Sequence, residues 1–311
     1  MPKKKKKKNE TKGKSLKKLK FSEKLSPVAD ILTTTFDEIE SRSLGTSVAG
    51  IPVNFYDFDA LTQGLQRGSL VVLAGRPAMG KTSISLNLAR NVAALHDLPV
   101  CIFGLETSKE QLTYRLISSE VGIETSRLRT GRLQHDEWPY LGRSINSLGK
   151  SPIYICDKAN ITVKEMAKKC EKIKEQEGKE LGLVVIDYVQ LMDGKRYMEC
   201  RDTELGGIVI DIKNMAKQLN VPILLMSQLS RDIEYRENKR PMLCDLRETQ
   251  SLETHADMVV MIYRDEYYHP ETEDRGITEL ITCKQRNGPV GTVKLLFEPQ
   301  FTRFRNLMDV A

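Results

Sequence analysis

Leu70-Val-Val-Leu-Ala-Gly75-Arg76-Pro77-Ala78-Met79-Gly80-Lys81-Thr82 is the stretch that decides the fold. The apolar run 70–74 predicts a strand, the residues from Ser83 to Ala94 predict a helix, and between them stands the pattern G-x-x-x-x-G-K-[ST]. Gly75 and Gly80 let the loop bend without Cβ clashes, so that backbone N–H groups converge on phosphate oxygens at a helix N-terminus. Lys81 supplies positive charge for the β and γ phosphates, and the Thr82 hydroxyl is suited to ligating magnesium. Arg76, Pro77, Ala78 and Met79 complete the wrapping loop. A plain glycine turn with an exposed lysine leaves the joint occurrence of all four fixed positions unexplained.

Outward from this loop, apolar β-branched runs alternate with helical stretches, the pattern of a parallel sheet covered on both faces. The predicted strands are Leu70 to Ala74, Val100 to Gly104, Ile153 to Asp157, Leu183 to Asp187, Pro222 to Ser227 and Met258 to Tyr263. Glu279 to Lys284 and Thr292 to Phe297 flank Asn287-Gly288 and read as a hairpin that finishes the sheet. The expected fold class is α/β: a P-loop NTPase with a mainly parallel twisted sheet, helices on both faces and a C-terminal β-hairpin.

In open parallel sheets ligands gather at the carboxyl ends of the strands, so polar residues there carry the chemistry. Leu183-Val-Val-Ile-Asp187 ends in a carboxylate placed to hold magnesium; capping the next turn is its alternative reading. Val100 to Leu105 runs into Glu106, which either orients an attacking water or caps a helix. Gln228, in Ser227-Gln228-Leu-Ser-Arg231, can sense a γ-phosphate or stand as a surface amide. Lys284 and Arg286 put two cations at a hairpin tip far along the sheet from their own phosphate loop. They either serve a neighbouring subunit's phosphate or are solvated turn charges.

Charge is distributed unevenly. The chain carries 48 Lys+Arg against 42 Asp+Glu, a formal +6, yet the first 24 residues hold twelve Lys and two Glu. Residues 1–25 read as a basic disordered arm, with a nuclear address or a DNA-phosphate arm as the alternatives, and the remaining body is slightly acidic. Any nucleic-acid contact by the body must therefore come from local clusters rather than bulk charge. Six separated cysteines form no C-x-x-C pair and no zinc spacing, which suits reduced thiols. No apolar run of 18 residues exists and the Lys-rich start leads into no apolar h-region, so neither a membrane span nor a secretory signal is expected. Ser26 to Ile39 places Val28, Ile31, Leu32, Phe36 and Ile39 at helical spacing, with Ser26 as cap and Pro27 in the first turn.

Taken together, these motifs resemble the motor domain of bacterial replicative DNA helicases of the DnaB type, a RecA-like fold that forms ring hexamers on single-stranded DNA. The resemblance runs from about Ser26 to Leu307 and rests on seven stretches. They are Gly50-Ile-Pro-Val-Asn-Phe-Tyr-Asp-Phe-Asp59, the loop Gly75 to Thr82, Phe103-Gly-Leu-Glu106-Thr-Ser108, Ile186-Asp187-Tyr-Val-Gln-Leu-Met192, Ser227 to Arg231, Asp245-Leu-Arg247-Glu248 and Lys284-Gln-Arg286-Asn-Gly-Pro-Val-Gly291. The resemblance implies ATP and magnesium as cofactors, with Thr82 and Asp187 on the metal. It makes Glu106 the catalytic base, Gln228 the sensor, and Lys284 with Arg286 a cationic pair acting across a subunit boundary. Arg231, Arg247 and Glu248 fall to DNA. It divides the chain into the arm 1–25, a linker helix 26–40 that packs on the adjacent subunit, and a motor domain 41–311.

Its further implications are DNA-stimulated ATP hydrolysis and 5'-to-3' movement on one strand within a homohexameric ring. The setting is the cytoplasmic nucleoid of a bacterium, or a plastid stroma. The family's N-terminal helical collar has no counterpart in the sequence, so a primase or helicase loader ranks as a lesser partner. Gln250 stands where a glycine is usual, and Gly206-Gly207 with Ile210 replace a stronger helix carrying a basic residue. A RecA/RadA-like recombination or repair ATPase, and a truncated paralogue that binds ATP in a ring without moving DNA, remain the alternatives.

Overall fold

The computed structural model describes residue 25 and residues 27–45, 48–192 and 201–307, with backbone alone at 201–203 and 247–250. The lysine-rich arm, Ser26 and Cys200 lie outside the described residues. Helix α1, Val28–Ser43, starts from Pro27 without a side-chain cap and extends past the expected end at Glu40. None of its residues is buried; Phe36 is 65% exposed. α2 is the short helix Tyr56–Thr62, set by the Asp59 carboxylate, which accepts the N–H groups of Val53 and Asn54 at 2.9 and 2.8 Å.

Then the alternation begins. Strand β1, Leu70–Gly75, leads through the glycine loop into α3, Lys81–His96, and β2 is Val100–Gly104. Helices α4 Lys109–Val121, α5 Thr125–Thr130 and α6 Trp138–Lys150 precede β3, Ile153–Cys156. α7, Val163–Glu177, is closed by a capping box between Thr162 and Glu165, a reciprocal pairing that satisfies two first-turn donors. β4 Leu183–Asp187, α8 Arg201–Leu219 and β5 Ile223–Gln228 follow. α9 Gln250–His255, β6 Met258–Tyr263, α10 Asp265–Tyr268, β7 Ile277–Gln285, β8 Gly291–Glu298 and β9 Arg303–Asn306 complete the order. α8 runs unbroken through Gly206 and Gly207: a glycine weakens an exposed helix by only about 1 kcal/mol, and buried Leu205, Ile208, Val209 and Ile212 hold this one against the sheet.

The strands form one nine-stranded sheet in the order β3-β2-β4-β5-β1-β6-β7-β8-β9. The first six are parallel neighbours and the last three antiparallel. β7 and β8 are the expected hairpin, but they do not finish the sheet. β9 pairs with β8, Phe297 opposite Phe304, and becomes the edge.

The period of two in each parallel strand divides the core. Val71 and Leu73 face α3 and its cluster, with Ile84, Leu88 and Val92; Leu70 and Val72 face α8, with Val209, Ile212 and Ala216. Each such buried aliphatic side chain contributes about 1.5 to 3 kcal/mol relative to exposure. Both faces being dry explains why these strands read as continuous apolar runs.

At the carboxyl end of β2 the chain turns tightly. A Cβ added at Gly104 would stand 2.7 Å from Leu112 Cδ1 and 2.9 Å from the Thr107 carbonyl oxygen. Gly104→Ala is therefore expected to destabilise the protein by about 1 to 3 kcal/mol, read as a lower urea midpoint at unchanged slope.

Candidate active site

The carboxyl ends of β1, β2, β4 and β5 open onto one cleft of about 670 Å³. Gly75 ends β1, and its register partner on β5 is Gln228. Asp187 ends β4 opposite Gly104 of β2, and the Leu105 N–H donates to the Asp187 carbonyl at 2.7 Å. That bond brings Glu106, exposed on the cleft wall, beside Asp187. Pro77, Ala78, Gly80, Lys81, Thr82, Glu106, Asp187 and Gln228 all line this cleft.

Within the loop, Ala78 and Gly80 take left-handed conformations, φ 63° and 96°. Gly80 N-caps α3 with no side-chain cap bond, so the first-turn N–H groups are left for an anion. Lys81 Nζ donates to the carbonyls of Gly75 at 2.8 Å and Arg76 at 2.9 Å. Burial pushes this ammonium down to about 8, against the pull of Asp187 and Glu106 and with Arg76 adding to the depression. The Thr82 hydroxyl donates to Asp187 Oδ2 at 2.9 Å. Asp187 is only 3% exposed. Burial raises its carboxyl and Glu106 adds to the rise, while the Thr82 bond and Lys81 oppose it.

Two oxygen donors, Thr82 and Asp187, do not cage an ion alone, and no group of three His, Cys, Asp or Glu among the described residues could do so. The pair fits a hard divalent ion that keeps waters and takes phosphate oxygens as its other ligands, which is magnesium's habit.

Arg76 is the loop residue that turns away. Its guanidinium pairs with Glu234 at 2.8 Å and donates to the Leu229 carbonyl at 2.9 Å, tying the loop to the segment after Gln228. Met79 is buried and Pro77 lines the cleft mouth. Arg231 is exposed at the start of the 3-10 turn Arg231–Tyr235 and is not among the cleft residues. Arg247 and Glu248 fall in the 3-10 segment Leu243–Thr249, and their side chains lie outside the described residues, as does that of Gln250.

Lys284 and Arg286 are not brought to the cleft. β7 runs antiparallel to β6, pairing Gln285 with Met258 and Glu279 with Tyr263. The two cations therefore sit at the amino end of β6, about 17 Å of strand from its carboxyl end beside the loop. Lys284 Nζ donates to the Glu253 carbonyl at 2.5 Å, and Arg286 donates to that of Thr254 at 3.2 Å. Burial lowers the Lys284 ammonium, with Arg286 adding and Asp257 opposing.

Further cleft residues are not among the site residues expected from the sequence. Arg115 and Gln111 come from α4, Tyr188 follows Asp187, and Arg264 follows β6. The Arg264 guanidinium lies 4.8 Å over the Phe297 ring, donates to the Ala78 carbonyl at 3.2 Å and pairs with Glu266. A residue directly after a parallel strand is a readable signal and identifies Arg264; Arg115, deep in a helix, gives none.

The DnaB-like helicase C-terminal domain family matches residues 50–306. The chain belongs to this family. It is 44% identical over 282 residues to the replicative DNA helicase DnaC of Bacillus subtilis, covering 90% of this chain and 62% of that protein. It is 42% identical to the replicative DNA helicase DnaB of Geobacillus stearothermophilus, covering 93% of this chain and 63% of the relative. It thus spans about three fifths of the length of these relatives. Among solved structures, one described as an ATPase domain superposes with a TM-score of 0.87 at 36% identity, covering 91% of this chain and all of that one. A DnaB-like replicative helicase, described with its interactions with primase, gives a TM-score of 0.83 at 36% identity and covers 91% of this chain and 68% of that one. The RecA-like fold of the family is the fold found here. No helix among the described residues is long and apolar enough to cross a membrane.

The depressed Lys81 sets a pH dependence. Below pH 8 the ammonium is charged and available to an anion; above it the unliganded form loses its proton, and an anion that needs the ammonium must bind with uptake of one. ATP affinity is expected to be level below pH 7 and to weaken by up to about tenfold per pH unit above 8. Titration of ATP binding across pH 6 to 10 checks this, and Lys81→Ala, already weak, should show no such slope.

Proposed function

We propose that this chain is the ATP-driven motor of a replicative DNA helicase, hydrolysing ATP at subunit junctions of a homohexameric ring to move along single-stranded DNA in the 5'-to-3' direction and unwind duplex. The observation that carries the reading is the division of the parts. Pro77, Ala78, Gly80, Lys81 and Thr82 of the loop share one cleft with Glu106, Asp187 and Gln228, whereas Lys284 and Arg286 stand at the opposite end of β6.

In this reading the loop's backbone N–H groups and Lys81 take the β and γ phosphates. Lys81 exchanges its two carbonyl partners for phosphate oxygens. Thr82 and Asp187 would hold magnesium, which would supply neutralisation of the phosphate charge. Glu106 accepts a proton from the water that attacks the γ-phosphorus, and the bond to the β-phosphate oxygen breaks to leave ADP. Gln228 hydrogen-bonds the γ-phosphate and reports its loss through Leu229 and Ser230 to Arg231, three residues along the chain. Arg286 and Lys284 of the next subunit stabilise the charge that spreads over the transferring phosphoryl group. The exposed apolar face of α1, with Val28, Ile31, Leu32, Phe36 and Ile39, supports the linker role for this helix. Arg247 and Glu248 complete the DNA contacts. A primase or loader is a secondary partner, and the compartment is a bacterial cytoplasm or a plastid stroma.

Glu106→Gln keeps shape but removes the proton acceptor, so ATP binding and assembly should persist while kcat falls about 100-fold or more. Isothermal titration beside steady-state turnover reads both; a lost affinity with unchanged turnover per bound ATP would make Glu106 a cap.

Arg286→Ala should leave ATP affinity of the isolated subunit unchanged and slow hydrolysis by about 10³- to 10⁵-fold. Mixed with the equally inactive Lys81→Ala, it should regenerate ATPase stimulated by single-stranded DNA, because one junction then pairs a sound loop with a sound finger. Mixed rings, seen by mass, that stay inactive would end the shared-site reading.

A further inference from the structure

The cations Lys284 and Arg286 would have to meet a neighbour's phosphate from a fixed position, and the structure shows what fixes them. Asp257, the residue before β6, is bound on every side. Its carbonyl accepts the Arg286 backbone N–H at 2.9 Å, and its own N–H donates to the Leu70 carbonyl at 2.9 Å. Its two carboxylate oxygens have different partners. Oδ2 accepts the Leu70 N–H at 2.7 Å and Lys213 Nζ at 2.5 Å. Oδ1 faces Arg286 at 3.5 Å. Lys213 also donates to the Gly68 carbonyl at 2.9 Å, so the ammonium locks the carboxylate to the turn that enters β1. Across from Asp257, the carbonyls at the carboxyl end of α9, Glu253 and Thr254, accept from Lys284 and Arg286.

We propose that Asp257 is a positioning residue for the trans cations: one carboxylate oxygen is anchored to β1 and α8, and the other aims the Arg286 guanidinium out of the subunit toward the neighbour's γ-phosphate. This rests on the shared-site reading given above. The geometry suits that task. The Arg286 side chain stays half exposed, 49%, while that of Asp257 is 18% exposed and that of Lys213 13%, so a rigid carboxylate holds a guanidinium whose free edge is available to a second anion. At 3.5 Å the Asp257–Arg286 contact is a loose charge pair rather than a close bidentate one, and surface pairs of that kind hold weakly. It restrains direction without neutralising the finger. Because Asp257 also closes the ladder at the start of β1, the finger is referenced to the same strand that carries the subunit's own phosphate loop.

Asp257→Asn keeps the acceptor for Leu70 and the side-chain volume but removes the charge that aims Arg286. In the assembled full-length chain with single-stranded DNA, it should leave the ATP Kd unchanged and lower kcat about 10- to 100-fold, the penalty of a misplaced group. Complementation then assigns the defect. Asp257→Asn mixed with Lys81→Ala should regain ATPase, as Arg286→Ala does, whereas Asp257→Asn mixed with Arg286→Ala should not. If Arg286→Ala and Lys81→Ala rescue one another but Asp257→Asn and Lys81→Ala do not, Asp257 serves its own subunit's loop through β1 and the positioning role is wrong. If neither pair rescues, the shared-site reading itself falls and takes this role with it. Should Asp257→Asn fail to fold, judged by its melting midpoint, Lys213→Met provides the second variant. Removing the ammonium that pins Oδ2 should give the same kcat loss at unchanged Kd and the same complementation group; a full-rate Lys213→Met protein overturns the proposal.

Discussion

Strand β1 is hydrogen-bonded on both sides, in parallel to β5 and to β6, and its position determines the rest. A central strand cannot shift by one residue without sending its core side chains to the wrong face. Leu70, Val72 and Ala74 are committed to one cluster and Val71 and Leu73 to the other. Gly75 is therefore delivered to a fixed place level with Gln228, and the loop that follows has no freedom about where it begins. The neighbouring ladders then set Asp187 opposite Gly104. Backbone pairing, not side-chain attraction, thus brings Asp187 and Glu106 to one edge, where burial raises the Asp187 carboxyl and Glu106 adds to the rise.

That arrangement leaves the cleft charged but internally compensated. Lys81 is held by two carbonyls of its own loop, and the Thr82 hydroxyl by Asp187. A ligand entering such a site exchanges partners rather than meeting naked charges, so the desolvation cost of the buried groups is met before binding. Arg264 adds a wall on the far side, tied at once to Ala78, Glu266 and the face of Phe297. This contact connects the antiparallel end of the sheet to the phosphate loop. The residues after β6 thereby help to shape a site whose motif lies nearly two hundred positions earlier.

The sequence made the parallel core readable because strands buried on both faces are apolar throughout, and Leu183 to Asp187 or Met258 to Tyr263 resist confusion with loops. Strand β9 is not readable in the sequence, for the opposite reason. Arg303-Phe-Arg-Asn306 is an edge with two half-buried arginines, and its pairing with β8 depends on Phe297 and Phe304 stacking at 4.3 Å. The glycine loop, Asp187 and Glu106 were legible from strand ends. Arg115 was not, because a helix interior gives no sign of which of its faces a distant loop approaches. Asp257 was hidden similarly: one acid before a strand announces a cap, and only the ladder shows that it joins Leu70, Lys213 and Arg286.

The two ends of β6 impose a last constraint. The strand brings Arg264 to the cleft and Asp257, with Arg286 and Lys284, to the opposite end, about 17 Å away along extended chain. Since both ends are fixed by the same ladder, no rearrangement short of breaking the sheet brings the finger cations to their own phosphate loop. On the proposed reading, each subunit must then present its finger to one neighbour and its cleft to the other. Such a contact uses two different surfaces of the same chain, so it is head-to-tail and must either close as a ring or propagate as a filament. On that same reading the rigidity of one short strand makes the active site a property of the assembly, and an isolated chain that binds nucleotide would still lack the cations proposed to act on it.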